Sequence, residues 1–253
     1  NQFILPSQIA FDVRLFRRPE FVLVLGWGFF SELGYVVLWF SLPAYATSVG
    51  LSAQQGSIVG ALLNLGTVVG RPIVGQLSDT MGRINIATLM TGCCGLLCLI
   101  IWIFAKSFGV LCLFAVLVGM VCGTFWSTVG PVCAEVVGLR ELPSALSVLF
   151  IMMVLPATCK YNQLVPRSKE SSSYSLVAEP IALKLRRESG SIYLDTQLFT
   201  GTMFVGATIC VLILRSWRVV KTEQDMVAKR RKGTQEVHVD LGNRDSNSGR
   251  SLW

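Results

Sequence analysis

The chain has 253 residues, of which 52% are hydrophobic and only 15% are charged. A soluble domain has about 25% charged residues. The composition, with a mean hydropathy of +0.58, therefore excludes water as the solvent around most of the chain. The net charge of +7 does not indicate nucleic-acid binding, because no aromatic residues are interleaved with the basic runs.

Eight cysteines and a single histidine, His238, give no zinc-ligand spacing, and no CxxC motif occurs. The cysteines lie in or at the ends of apolar stretches, so we interpret them as small buried hydrophobic residues. GxSxG, HExxH, Walker and GxGxxG motifs are absent as well. The sequence therefore predicts neither an enzyme nor a bound metal or cofactor.

Membrane spans are predicted where about 20 apolar residues follow one another. Uninterrupted spans are predicted at residues 21–46, 56–75, 84–105, 108–132 and 198–217, and a shorter apolar stretch lies at 145–159. The expected fold is an all-α polytopic membrane protein with six transmembrane helices between residues 20 and 217. Residues 1–19 form a basic cytosolic lead-in, and residues 218–253 are predicted to be a disordered basic cytosolic tail.

The distribution of basic residues predicts the orientation, since such residues concentrate on the cytosolic side of membrane helices. Six crossings put both termini on one side, and most basic residues then share that side: Arg14, Arg17, Arg18, Arg71, Arg83, Arg140 and the tail. Lys184, Arg186 and Arg187 fall on the opposite side. We expect both termini in the cytosol, with the plasma membrane as the default location.

Three pairs of glycines are spaced i, i+4 within the predicted spans: Gly56 and Gly60, Gly66 and Gly70, and Gly119 and Gly123. Small residues at this spacing let helices approach closely in lipid. We therefore expect close helix–helix packing at these positions.

A charged, glycine-bounded segment from Gly75 to Arg83 joins the second and third spans. It resembles the conserved cytoplasmic loop motif of the major facilitator superfamily, which follows the second helix of each six-helix half. The family usually has a basic residue where Thr80 stands, and often another where Ile84 stands. The resemblance implies the C-terminal half of a transporter that lacks its N-terminal six helices.

This motif predicts a gating loop. Gly75 would let two helices touch, Asp79 would pair with a basic residue, Gly82 would allow a tight turn and Arg83 would reach a neighbouring bundle. Breaking such contacts lets two halves rock against each other. A solvated hairpin without a gating role is the alternative. Glu135, at the end of the fourth span, is expected to pair with Arg140.

The segment from Asn64 to Pro72 resembles the eighth helix of monocarboxylate transporters, particularly fungal ones. In that family an arginine before this proline binds the substrate carboxylate, which assigns that role to Arg71. Animal members have an acidic residue four positions earlier, where this chain has Thr67. Alternatively, Arg71 pairs with Asp79 or with a lipid phosphate. Asn64 would either line the cavity or bond to a neighbouring helix.

Glu32 lies midway along the first span and is its only acidic residue. A carboxylate facing lipid is costly, so Glu32 should face the interior of the bundle. It is a candidate for proton coupling or for pairing with a basic group of the missing half. A neutral, hydrogen-bonded buried acid is the alternative.

Residues 160–177 are polar and interrupt the fifth apolar stretch. In the fungal relatives the flanking pieces, 154–158 and 178–186, look adjacent within one helix. The codons for Cys159 to Tyr161 can contain a splice-donor sequence, and those for Leu176 and Val177 can contain a terminal AG. We therefore hypothesise a retained intron, with a hydrophilic loop as the alternative. A functional transcript that keeps these codons would contradict the intron.

The resemblance implies transport of a small organic anion, monocarboxylate-like, with or without a proton, by alternating access between two halves. Expected partners are the lipid bilayer, this anion and an N-terminal six-helix half; no nucleic acid is expected. A non-transporting fragment, a half that pairs with another chain, or a transporter of an unrelated solute are the alternatives.

Overall fold

The computed structural model describes residues 13–158 and 193–248, and every regular element in these ranges is helical. A 3₁₀ turn at Val13–Arg17 precedes the first helix, and a π-helical turn at Cys98–Trp102 continues the third. The α-helices are α1 (Pro19–Ser48), α2 (Ala53–Met81), α3 (Arg83–Leu97), α4 (Phe108–Cys122), α5 (Thr124–Val137), α6 (Leu142–Thr158) and α7 (Leu194–Ser248). The predicted all-α class is confirmed.

Five helical stretches are long and apolar enough to cross a membrane: Pro19–Ser48, Ala53–Met81, Arg83–Trp102, Phe108–Val137 and Leu194–Ala228. The predicted fifth crossing, at 145–159, corresponds to α6, in which the described residues contain a shorter apolar helix, Leu142–Val154. The structure therefore supports a multi-pass membrane protein with five full spans in its described residues. The predicted insertion at 160–177 and most of the lead-in lie outside those residues.

The second helix is longer than the predicted span at 56–75. It begins with a capping box, in which the Ser52 hydroxyl accepts from the Gln55 backbone N–H at 3.2 Å and the Gln55 side chain accepts from the Ser52 backbone N–H at 2.9 Å. It ends at Met81, so most of the predicted loop is helical. Gly82 alone makes the turn, with a φ of +94° that favours glycine.

The predicted fourth span at 108–132 is a pair of helices that meet at Gly123. Gly123 has a φ of −76° and a ψ of 0°, which interrupts the helix without reversing the chain. The Thr124 hydroxyl donates to the Val121 carbonyl at 2.6 Å, so a side chain satisfies a backbone acceptor at the break. The break therefore stands within one apolar segment, Phe108–Val137.

The glycine pairs produce the close packing that was predicted. A Cβ added at Gly66 would lie 2.5 Å from the Val116 carbonyl oxygen and 3.1 Å from the Gly119 Cα, so α2 and α4 meet backbone to backbone. Gly56 and Gly60 pack in the same way against Pro43 of α1, at 3.0 and 3.2 Å. Small residues fix the register of α2 against both neighbours.

The start of α7 packs on α1 and on α3. The Phe204 ring lies 2.9 Å from the Cβ position of Gly34, and the Phe204 Cβ lies 3.3 Å from that of Gly95. The Gln197 side chain donates to the Trp102 carbonyl at 3.1 Å, at the end of the π-helical turn. These contacts complete the first structural unit, which ends at Ile213.

A second unit begins at Leu214. Within it the Lys221 ammonium lies over the Trp217 ring, 4.6 Å from its centroid. The helix continues to Ser248, through most of the segment 218–253 for which the composition predicts a disordered tail.

Candidate functional site

Arg71 lies on the exposed face of α2, about 6 Å along the axis from the middle of that helix. Its guanidinium lies near the Tyr35 side chain of α1. Its Nε lies 3.3 Å from the Cβ position of Gly123, at the break between α4 and α5. No carboxylate within the described ranges lies at ion-pair distance from Arg71. The guanidinium therefore lies close to α1 and to the α4–α5 break, and no described carboxylate compensates its positive charge.

Glu32 lies three residues before Tyr35 on α1, so the two side chains are neighbours on the helix surface. The Glu32 side chain is half-buried, and its Oε2 is shielded from solvent without a hydrogen-bond partner among the described residues. Tyr35 lies near both Glu32 and Arg71. Glu32, Tyr35 and Arg71 thus form one polar group between α1 and α2, near the middle of both helices.

Asn64 lies two turns before Arg71 on the same exposed face of α2. Its side-chain amide donates to the Gly60 carbonyl at 3.0 Å, within its own helix. The Asn64 amide therefore donates within its own helix, and not to a neighbouring helix as one of the two sequence interpretations suggested.

A second charged cluster lies at the predicted cytosolic end of α2. The Arg83 Nε is 3.8 Å from the Asp79 Oδ1 and 3.9 Å from the Glu135 Oε1 of α5. Asp79 has a basic partner, as expected, and Arg83 also joins the α2–α3 turn to α5 of the same half. The second partner of Arg83 is Glu135, which the sequence suggested for Arg140.

Gly75 does not have the helix-contact role that the sequence predicted for it. A Cβ added there would meet no atom of the described residues within 4 Å, so this glycine does not bring two helices into contact. The contact role belongs to Gly70 and Gly66, five and nine residues earlier on the helix. Hydropathy and motif position do not reveal which glycine of a helix faces a neighbour.

Sequence reasoning also missed two features. Tyr35 was not singled out from the sequence, although its position three residues after Glu32 could have indicated a polar partner. The second feature is an ion pair between Arg18, just before α1, and Glu141, just before α6. The Arg18 Nη1 lies 2.8 Å from the Glu141 Oε2, and its Nη2 donates a hydrogen bond to the Glu141 Oε1 at 3.1 Å. Such two-point contacts fix orientation as well as distance.

The chemistry available at Arg71 is anion binding. A guanidinium offers several N–H donors in one plane, which match the two oxygens of a carboxylate. In the described part of the chain, no three histidine, cysteine or acidic side chains lie close enough together to hold a metal ion.

Comparison with known proteins identifies a family that this chain resembles. The family model of the Major Facilitator Superfamily matches residues 24–159, just over half of the chain. The chain is 29% identical over 221 residues to the probable transporter MCH2 of Saccharomyces cerevisiae, covering 87% of this chain and 43% of the relative. It is also 29% identical over 245 residues to the uncharacterized transporter ESBP6 of the same yeast, covering 95% of this chain and 34% of the relative.

A third relative, the fujikurins efflux protein of Gibberella fujikuroi, is 25% identical over 214 residues, which cover 84% of this chain and 41% of the relative. The chain therefore spans less than half the length of each of these curated relatives.

Proposed function

Because the chain belongs to the Major Facilitator Superfamily, whose members are membrane transporters rather than enzymes, we propose that it forms the C-terminal half of a transporter for a small, monocarboxylate-like organic anion. Transport proceeds by alternating access, with the solute bound between this half and an N-terminal six-helix half. Both termini lie in the cytosol, and the membrane is the plasma membrane.

The observation that carries this proposal is the exposed guanidinium of Arg71 near the middle of α2, without a carboxylate at ion-pair distance in the described ranges. Placing a charged group within an apolar span is costly, so such groups mark solute pathways in membrane proteins. Arg71 binds the negative group of the solute. Asn64, two turns closer to the start of α2 on the same face, also contacts the solute.

Glu32 is the group that accepts the coupled proton. Its Oε2, which is shielded from solvent and has no hydrogen-bond partner among the described residues, supports this role. Thr67 has no carboxyl group to take up a proton, whereas Glu32 is the acidic residue midway along α1.

The turn at the end of α2 acts as the gate, through Asp79, Gly82 and Arg83. The contacts of Arg83 with Asp79 and with Glu135 of α5 support this assignment, since they hold the α2–α3 turn to a third helix. Gly82 supplies the sharp turn that brings the three charges together.

Two alternatives have specific support. The chain spans less than half of its relatives, which favours a half that requires another chain, or a non-transporting fragment. One relative is named for the efflux of fujikurins, which favours a solute other than a monocarboxylate.

The test is solute uptake in cells that express this chain, with and without the N-terminal half of a yeast relative. The panel consists of acetate, lactate, pyruvate and succinate, with glycerol as an uncharged solute. We expect anion uptake only when both halves are present, and its loss in Arg71→Gln. The matched control is Lys106→Gln, which removes a positive charge between α3 and α4.

Equal loss of glycerol and anion uptake in Arg71→Gln would contradict the proposed role of Arg71. Uptake by neither arrangement would favour the non-transporting fragment.

A further inference from the structure

The last helix, α7, carries a dense group of basic residues at and beyond the end of its apolar span. The predicted span at 198–217 already has the roughly 20 residues that a crossing needs. It ends at Trp217, and tryptophan is enriched at membrane–water interfaces. Residues 215–232 contain seven lysines and arginines and only two acidic residues, Glu223 and Asp225. The chain remains helical through all of them, so their positions follow the helical period.

Most of these basic residues follow one side of the helix. Arg215 and Arg218 are three residues apart. Lys229 and Lys232 repeat this spacing two heptads later, which returns each to within about 40° of its starting direction. By register, the basic face comprises five basic residues and one acid: Arg215, Arg218, Lys221, Asp225, Lys229 and Lys232.

A second face of the same stretch is apolar and exposed. Val219 and Met226 are seven residues apart and so lie on one line along the helix. Val220 and Val227 have the same spacing. All four side chains are between 51% and 53% exposed. Val220 follows Arg218 by two positions, which is about 160° around the helix, so the segment is amphipathic.

Lys221 relates this segment to the membrane–water interface. Its Nζ lies 4.6 Å from the centroid of the Trp217 ring, one turn earlier on the helix. This cation–π contact keeps the ammonium beside a ring that favours the headgroup region. The amphipathic stretch therefore begins at the depth where lipid headgroups lie.

Two simpler explanations do not account for both faces. Basic residues concentrate on the cytosolic side of membrane spans, which explains the positive charge but not a repeating apolar face beyond the span. A helix within the hydrocarbon region would have an apolar surface, but not lysines and arginines at this density. An amphipathic helix with a basic face is typical of segments that lie on anionic bilayers.

We propose that residues 215–232 form a membrane-surface helix that binds the anionic lipid headgroups of the cytosolic leaflet. The basic face contacts the phosphate and carboxylate groups of these lipids. The apolar face enters the boundary between headgroups and acyl chains. The choice of leaflet rests on the proposed cytosolic position of the C-terminus, whereas the binding itself does not depend on the transported solute.

The first test is hydrogen exchange of the native full chain in two kinds of bilayer disc, one of pure phosphatidylcholine and one with about one third phosphatidylserine. Each basic residue near an anionic surface strengthens attachment by about fivefold, so the amides of residues 218–232 should exchange at least about fivefold more slowly in the anionic disc. The uncharged α1–α2 connection, residues 49–52, should exchange equally in both discs. Equal exchange of residues 218–232 would overturn the proposal and would favour a helix-binding protein as the partner.

Salt provides a check on the same samples. Raising the salt concentration from about 0.1 to 1 M shortens the Debye length from about 10 to 3 Å. Most of the protection in the anionic disc should then be lost. Protection that is independent of salt would contradict binding through the basic face.

A variant without the basic run tests the charge directly. It combines four substitutions by glutamine, which is also a good helix former: Lys229→Gln, Arg230→Gln, Arg231→Gln and Lys232→Gln. We expect the difference between the two discs to disappear. The matched control removes the same number of positive charges outside α7 and should retain the difference: Arg14→Gln, Arg17→Gln, Lys106→Gln and Arg140→Gln.

The apolar face is tested by combining Val220→Gln and Val227→Gln, with Thr222→Gln as the control within the same stretch. The double variant should lose most of the protection in the anionic disc, whereas the control should retain it. Full protection in the double variant would show attachment by charge alone and would contradict a membrane-surface helix. These measurements use the chain without an N-terminal half, so their outcome and that of the uptake experiment are independent.

Discussion

At the scale of single residues, the sequence identified the charged groups but not their partners. Arg71, Asp79 and Arg83 could be recognised because charges are rare within and next to membrane spans. The nearness of Tyr35 to Arg71 could not be recognised from the sequence, since it depends on the register of α2 against α1. That register is fixed by the packing of Gly56 and Gly60 on α1, which only a three-dimensional structure reveals.

Glu32 provides a prediction at this scale. Glu32→Gln keeps the size and the hydrogen-bonding capacity of the side chain but cannot take up and release a proton. We expect loss of anion accumulation driven by a proton gradient, with anion exchange across the membrane preserved. Uptake measured with and without an imposed pH gradient separates these two activities.

The control for Glu32 is Glu20→Gln, in the first turn of the same helix. It removes one acidic group outside the apolar part of α1 and should leave both activities unchanged. Proton-driven accumulation that survives Glu32→Gln would assign Glu32 to the alternative of a neutral structural acid.

At the scale of helices, hydropathy predicted where the chain crosses but not where the helices end. The predicted start of α1 lies two residues from the observed one, whereas α2 continues six residues beyond its predicted end. The helix continues beyond the apolar segment into polar residues. The Thr80 hydroxyl, for example, donates to the Leu77 carbonyl of the same helix at 3.1 Å. The break at Gly123 was missed because apolar residues continue on both sides of it.

The contact between α2 and α4 gives a prediction about stability. A Cβ at Gly70 would overlap the Met120 carbonyl group, whose carbon lies 2.7 Å from that position. Gly70→Ala should lower the free energy of unfolding by about 1–3 kcal/mol, as overpacking does in protein cores. Thermal unfolding of the purified chain in detergent measures the change.

Gly75→Ala is the matched control, because it lies on the same helix with open space around it. Alanine is the better helix former by about 1 kcal/mol, so this variant should be as stable as the native chain or more so. Equal destabilisation by both substitutions would contradict the backbone contact between α2 and α4.

We expect the ion pairs of Arg83 to affect the transport rate more than the stability of the fold. The Arg83 and Asp79 side chains are 39% and 73% exposed, so solvent screens their attraction. Such exposed pairs contribute about 0–1 kcal/mol each. Arg83→Gln should therefore leave the unfolding temperature nearly unchanged while altering the transport rate.

The comparison that decides the role of Arg83 uses Arg140→Gln, at the α5–α6 connection, as its control. An unfolding temperature that falls by many degrees in Arg83→Gln would show a structural role instead of a gating one.

At the scale of the whole molecule, the all-helical membrane fold followed from composition, because 15% charged residues cannot cover a soluble protein of this length. The number of crossings did not follow as directly. The described residues contain five full spans and the shorter α6, and the predicted insertion lies just after α6. The solute face could not be predicted either, since lipid and a solute cavity both border exposed helix surfaces.

The central claim is that the exposed face of α2, which carries Asn64 and Arg71, borders an aqueous cavity rather than lipid. The most direct measurement is the reaction of Asn64→Cys, in a cysteine-free variant paired with the N-terminal half, with a membrane-impermeant thiol reagent. Leu96→Cys, exposed on α3, is the control for a lipid-facing position. We predict that Asn64→Cys reacts, that the preferred anion slows this reaction, and that Leu96→Cys remains unmodified. Failure of Asn64→Cys to react, with or without the anion, would contradict the account.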